Sequence, residues 1–330
     1  MPCIVILDFY RLKSGTCNLH KFMNLKKRIE VLAETGKQLQ PGKDNWDLAG
    51  EKAYQQNNWF TPEFISLATA SVCRQFLQPQ LLENWAAHYH LDDNISPRQV
   101  GLVMAGNIPM VGFHDLLSIF ISGHRQTIKL SSKDEVLIKE VVNIMTSLDP
   151  GVASLIRFGE TLKGCDAYIA TGSSNSARYF DYYFGRYPSI IRRNRTSVAI
   201  LDGTETAEEL FRLADDIQLY FGLGCRNVTK IYVPEGYDFV PLLKALERYQ
   251  HFEEHNKYKN NFDYQLSLAL LNKVFYMTNN SILLLENEGL FSPISCLFYG
   301  YYDDAEKLTA GLRKNESVQC IVGKWGVPFG

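Results

Sequence analysis

The chain has 330 residues, 46% of them hydrophobic and 12% aromatic, which is ample material for two cored domains and excludes a disordered chain. Its 34 basic and 36 acidic residues leave a formal net charge of −2 at pH 7, so no electrostatic case exists for nucleic acid. Seven cysteines, at positions 3, 17, 73, 165, 225, 296 and 320, make no CxxC pair and no metal spacing. Free thiols in a reducing compartment are expected, and no metal is.

No apolar run has the length to span a bilayer. The opening Met1-Pro2-Cys3-Ile4-Val5-Ile6-Leu7 is cut by Asp8 before it can serve as a signal-peptide core, so a cytoplasmic protein is expected. Residues 1–22 share no pattern with the remainder of the chain and read as an N-terminal extension or a misassigned start, with Met23 the alternative first residue. From Met23 a helix begins with Leu25, Ile29 and Leu32 on one face. A second starts near Thr61, with Pro62 at its first position, and runs through Phe64, Leu67, Cys73 and Phe76.

Strands and helices then alternate. The strand Val100 to Met104 leads into the tight loop Gly106-Asn107-Ile108-Pro109, a helix from Phe113 to Ile121, and the strand Thr127 to Leu130. Ser132 with Glu135 three residues on reads as a capping box for a helix from about Lys133 to Met145. The strand Ala167 to Ala170 ends in Thr171-Gly172-Ser173. The alternation is that of a parallel α/β sheet, whose ligands sit beyond the carboxyl ends of the strands. That rule gathers the Asn107 loop, the Lys129 to Ser132 strand end and the Gly172-Ser173 turn at one edge. A Gly-Ser turn before a helix can offer N–H groups to a phosphate, although such a turn is more often only a turn.

A second unit opens with the strand Thr196 to Leu201 and a helix from about Glu205 to Phe221. Cys225 comes next in Gly222-Leu223-Gly224-Cys225-Arg226-Asn227, then the strand Val228 to Val233, a helix from about Phe239, and the strand Ser281 to Leu285. The polar stretch His251 to Asn261 reads as an exposed excursion. A thiol between open glycines and an arginine suits an acyl-accepting nucleophile, while the ordinary fate of a free cysteine is to fill a small apolar gap. Arg192, Arg193 and Arg195 form a basic cluster that is by default solvated and otherwise could meet a phosphate. The aromatic run Tyr179, Phe180, Tyr182, Tyr183 and Phe184 reads as ordinary packing on a helix more readily than as an acyl groove.

The ordered series Gly106-Asn107-Ile108-Pro109, Thr127-Ile128-Lys129-Leu130-Ser131-Ser132, Ala170-Thr171-Gly172-Ser173 and Gly222-Leu223-Gly224-Cys225 resembles the aldehyde dehydrogenase superfamily. Within it, the span from Met23 to Gly330, including the stretch from Ile191 to Gly203 and Cys225-Arg226-Asn227-Val228, is similar to the LuxC-like long-chain acyl-CoA reductases. The resemblance implies an aldehyde dehydrogenase-like α/β fold. It places a Rossmann-like cofactor domain over 23–195 and a catalytic cysteine domain over 196–330, the latter ending where a further short tail is expected.

It also implies roles. Cys225 matches the acylated nucleophile, and Asn107 the side chain that holds the oxyanion together with the Cys225 N–H. Lys129 matches the lysine on the adenosine ribose, and Gly172 and Ser173 the turn that receives the pyrophosphate. Ser132 falls where NAD-preferring relatives carry a glutamate, which favours NADPH, with NADH the second candidate; alternatively Ser132 only caps its helix. The base that relatives use for hydrolysis aligns with Ile191-Arg192-Arg193-Asn194-Arg195, which holds no carboxylate, so reduction of a thioester is favoured over its hydrolysis. The glutamate that grips the nicotinamide ribose aligns with Gly289, beside Glu288. The implied partners are a long-chain acyl-CoA or acyl carrier protein thioester and a second copy in a homo-oligomer. The alternatives are a coenzyme A-acylating dehydrogenase running oxidatively and a non-catalytic paralogue acting as scaffold or carrier-binding protein.

Overall fold

The structure, a computed structural model, describes residues 23–94 and 96–330. The extension 1–22, with Cys3 and Cys17, lies outside the described residues. The chain divides into two compact units between Arg193 and Asn194.

Four helices lead into the first unit: α1 (Leu25–Gln38), α2 (Asp44–Gln56), α3 (Pro62–Phe76) and α4 (Pro79–His88). Local chemistry sets where they start. Thr61 accepts from the Phe64 N–H at 3.3 Å and Pro62 fills a position whose N–H has no helical partner, a cap worth about 1 kcal/mol. Arg28, which the sequence hides in a basic run, is 1% exposed. It donates to the carbonyls of Ile121 and Asp92 at 3.1 and 2.6 Å, tying α1 to two later segments.

The first sheet comprises β1 (Gln99–Val103), β2 (Arg125–Lys129), β3 (Ile156–Phe158), β4 (Ala167–Thr171) and β5 (Ser189–Arg192), all parallel in the order β3-β2-β1-β4-β5. Helix α5 (Phe113–Ile121) is buried along nearly its whole length, and α6 (Glu135–Leu148) lays Leu137, Ile138, Val141 and Met145 on the same core. The predicted start of α6 needs correction. Ser132 does not cap it; the helix begins at Glu135, with Asp134 in the N-cap position making no side-chain cap bond. Strands β3 and β5 escape the sequence pattern because they are short and half exposed.

The second sheet comprises β6 (Thr196–Ile200), β7 (Val228–Val233), β8 (Tyr276–Thr278), β9 (Leu283–Glu286), β10 (Cys296–Tyr301) and β11 (Val318–Val322). Their order is β11-β6-β7-β10-β9-β8, parallel except for the β8/β9 pair. Helices α8 (Ala207–Gln218), α9 (Val240–Leu246), α10 (Asn256–Leu271) and α11 (Ala305–Arg313) complete the unit. The polar stretch His251 to Asn261 is not an excursion. Phe252 and Tyr258 within it are buried, and Phe262, one turn beyond Tyr258 on α10, continues the buried stripe that polar neighbours obscure. Among the described residues no helix is long and apolar enough to cross a membrane, and no group of His, Cys, Asp or Glu is arranged to hold a metal ion.

Candidate functional site

In the first unit the connections change direction between β1 and β4, and Val103 pairs with both Lys129 and Ala170 at the carboxyl ends of the three central strands. That crevice is where an open parallel sheet binds its ligand. Asn107, Lys129, Ser132, Gly172 and Ser173 all lie on the segments that leave these ends, so the sequence-derived grouping holds within this unit.

The Asn107 loop is fixed at both sides. Its entry is tied by the Met104 N–H to the Lys129 carbonyl at 3.1 Å, and its exit by the Met110 N–H to Asp134 Oδ2 at 2.7 Å. Gly106 must be glycine: a Cβ there would lie 2.6 Å from Ser131 Oγ and 3.2 Å from Asp134 Cβ. Asn107 itself is half-buried. Lys129 is exposed and donates to the Glu160 carbonyl at 3.1 Å. Ser132 is exposed, and its carbonyl accepts from the Gln56 side chain at 3.4 Å.

Helix α7 (Ser174–Phe184) starts at the end of β4. Ser173 is its N-cap, accepting from the Ser176 N–H at 3.3 Å, and the first turn carries no acidic side chain. The amino end of α7 therefore keeps its positive dipole uncompensated, which suits an anion. A Cβ on Gly172 would approach Phe180 Cε2 to 2.9 Å, so glycine lets the helix lie close to the strand. The aromatic run divides: Phe184 stacks on Tyr168 at 4.2 Å, while Tyr179, Tyr182 and Tyr183 are exposed. Two members of the arginine cluster are already engaged. Arg192 holds both oxygens of buried Asp115 at 2.8 and 2.7 Å, and Arg193 pairs with Asp181 at 2.9 Å. Burial raises the Asp115 carboxyl, but its bond with His114 and the Arg192 charge outweigh that and hold it below the usual range.

In the second unit Cys225 lies just before β7, at the amino end of the sheet. It is exposed, whereas Cys73, Cys165 and Cys296 are buried and Cys320 is half-buried. Burial pushes all four of those thiols up, Cys296 to about 12, so none of them is a ready thiolate. The approach to Cys225 is a sharp turn in which Tyr220, Phe221 and Gly222 take φ values of 55°, 57° and 72°. Two consecutive non-glycine residues in that region are strained and need outside support. The Phe221 ring supplies part of it, packed 4.4 Å from Phe252 and 5.7 Å from Tyr258.

Asn227 supplies the rest, a role the sequence does not announce. Its Oδ1 accepts from the Gly224 N–H at 2.8 Å, and its Nδ2 donates to the carbonyls of Asp216 and Leu219 at 3.0 Å each. One buried side chain thus closes the exit of α8 and shapes the loop that presents Cys225. Within β7, Lys230 is buried and donates to the carbonyls of Asn287 and Tyr299, fixing the segment that carries Glu288. Glu288 is exposed.

No protein-family model matches the sequence, and no curated protein matches it. Solved structures do. Aldehyde dehydrogenase 21 from Physcomitrella patens, in complex with succinate, superposes with a TM-score of 0.66 at 12% identity, over 92% of this chain and 74% of its own. The aldehyde dehydrogenase KauB from Pseudomonas aeruginosa gives 0.61 at 13% identity, over 87% and 69%. The Mycobacterium tuberculosis aldehyde dehydrogenase complexed with NAD+ gives 0.60 at 14% identity, over 87% and 70%. With two α/β units built on parallel sheets, the chain has an aldehyde dehydrogenase-like fold.

Proposed function

We propose that the protein is an NAD(P)H-dependent oxidoreductase that reduces a long-chain acyl thioester, of coenzyme A or an acyl carrier protein, to the aldehyde through an acyl-enzyme on Cys225. The observation that carries this reading is the placement of Cys225: an exposed thiol at the end of a strained turn that Asn227 and Phe221 hold in place. A gap-filling cysteine would be buried, as Cys296 is.

The Cys225 thiolate attacks the acyl carbonyl, the C–S bond to the donor breaks, and the donor leaves as its thiol. Reduced nicotinamide, when bound, supplies the hydride that converts the acyl-enzyme to the aldehyde level. The resulting thiohemiacetal collapses, returning the Cys225 thiolate and releasing aldehyde. Asn107 is the side chain assigned to the negative oxygen in both tetrahedral species. The residues at the first sheet's carboxyl edge fit a diphosphate-bearing cofactor: a lysine on β2, and the start of α7 with no acid in its first turn. NADPH is favoured because Ser132 puts no carboxylate where a ribose 2′-phosphate would be repelled. The stretch from Ile191 to Arg195 holds no carboxylate to activate water, which supports hydride delivery over hydrolysis.

The test mixes the protein with long-chain acyl-CoA and NADPH, follows NADPH consumption and traps aldehyde, with Cys225→Ala as control. Turnover that the variant loses supports both the reaction and the nucleophile. Absence of both turnover and an acyl adduct on Cys225 overturns the reading in favour of a non-catalytic scaffold.

A further inference from the structure

Asp134 occupies the N-cap position of α6 but does not cap it. An aspartate there normally turns its oxygen onto its own helix, and the cap it forgoes has to be outweighed elsewhere. Its carboxylate, 4% exposed, reaches instead across 24 residues of sequence to the Met110 N–H at 2.7 Å. Met110 sits at φ 57°, a conformation that costs a non-glycine residue about 1 kcal/mol, and it lies three residues after Asn107. The other oxygen, Oδ1, is buried without a hydrogen-bond partner among the described atoms. The segment bearing Asp134 is itself fixed from α2: Gln56 donates to the Ser132 carbonyl at 3.4 Å, and Asn57 to the Lys133 carbonyl at 3.2 Å. Asp134 and Ser131 also form the wall against which only a glycine fits at position 106.

We propose that Asp134 is a positioning residue for the oxyanion-binding loop: by accepting the Met110 N–H it holds residues 106–110 in the bend that presents the Asn107 amide. The inference rests on the role given to Asn107 in the proposed reaction. Burial drives the Asp134 carboxyl up to about 7, against the Met110 hydrogen bond that favours its anion, so the protein keeps this group at a cost to stability. A capping serine would be the better choice for α6 alone.

The experiment is a double-mutant cycle between positions 134 and 107, read in the acyl-CoA reductase assay and by amide hydrogen exchange. Asp134→Ser keeps a helix-capping side chain but is too short to reach Met110. It should lower kcat about 10-fold or more, the scale of a misplaced catalytic group, with the KM values for acyl-CoA and NADPH unchanged. Asp134→Asn, which retains the acceptor, should restore most of that rate. In an Asn107→Ala background Asp134→Ser should cost nothing further, because its effect passes through Asn107. Exchange at the Met110 amide should accelerate in Asp134→Ser and stay slow in Asn107→Ala. Multiplicative losses in the double variant, or unchanged Met110 exchange in Asp134→Ser, would overturn the inference. If wild type shows no turnover, the functional reading fails, and the exchange measurement still decides whether Asp134 holds the loop.

Discussion

Replacing Asn227 by alanine should damage the second unit and the Cys225 loop together. Asn227 is 6% exposed, and its side chain makes bonds of 2.8, 3.0 and 3.0 Å to Gly224, Asp216 and Leu219. At roughly 1 kcal/mol net for each bond, Asn227→Ala should lose about 3 kcal/mol, because the Gly224 N–H and two carbonyls lose their partner. Hydrogen exchange in rising urea, resolved by unit, reads that loss for residues 194–330 without assuming that both units unfold together. Asn227→Asp keeps the acceptor for Gly224 but turns a carboxylate toward the Asp216 and Leu219 carbonyls, so it should cost at least as much. With the turn at Tyr220 and Phe221 unsupported, alkylation of Cys225 by iodoacetamide should change rate in both variants. A loss below about 1 kcal/mol for Asn227→Ala, with alkylation unchanged, would show that Phe221 packing alone fixes the loop and would refute this account.

Asp115→Ala removes a carboxylate 8% exposed but leaves Arg192 partly solvated, so the loss should be about 1–2 kcal/mol rather than the larger cost of an orphaned buried charge, as urea unfolding of the first unit would measure. Lys230→Met leaves the Asn287 carbonyl without its donor while Tyr299 keeps the Asn287 N–H; an expected loss of about 1–3 kcal/mol should come with faster exchange across residues 287–290. Ser132→Glu should lower kcat/KM for NADPH about 10-fold and leave that for NADH unchanged, since a carboxylate near a phosphate at the surface costs about 1–2 kcal/mol. Asp134 makes a pH prediction. Its folded pKa of about 7 lies above the unfolded carboxyl value, so the native state binds the extra proton, and the contribution of this group to stability is greatest at acid pH and falls as pH rises from about 4 to 7. Wild type should lose roughly 3–4 kcal/mol over that window relative to Asp134→Asn; equal slopes for the two would refute it.

The elements with long apolar periodicity were legible in sequence. The helix Phe113 to Ile121 and the strand Val228 to Val233 coincide with α5 and β7, because most of their positions are buried and most of those are apolar. Short strands were not: β3 and β5 are three and four residues long with half-exposed faces, and β8 is a three-residue edge. The segment His251 to Asn261 misled for a different reason. Its polar residues dominate the composition while Phe252 and Tyr258 carry the packing, and those rings seat Phe221 and thereby the turn before Cys225.

The same division runs through the candidate site. Asn107, Lys129, Gly172 and Ser173 could be singled out because each sits in a short motif at the carboxyl end of a strand, where topology says a ligand belongs, and Cys225 because its thiol sits between open glycines and an arginine. Asp134 and Asn227 could not, since each works by sending a side chain to backbone groups that other parts of the chain deliver: Met110 from the β1–α5 loop, Asp216 and Leu219 from the end of α8. The local pattern even pointed the wrong way, offering Ser132 as the cap of α6 when Asp134 holds the cap position and spends its carboxylate elsewhere. Asp134 is a buried acid kept at a cost to stability, whereas the Asn227 amide stabilises its unit while it closes a helix and bends a loop. The loop that Asp134 holds bears Asn107, and the loop that Asn227 holds bears Cys225. Substitutions at 134 and 227 should therefore reduce turnover by more than their effect on folding explains.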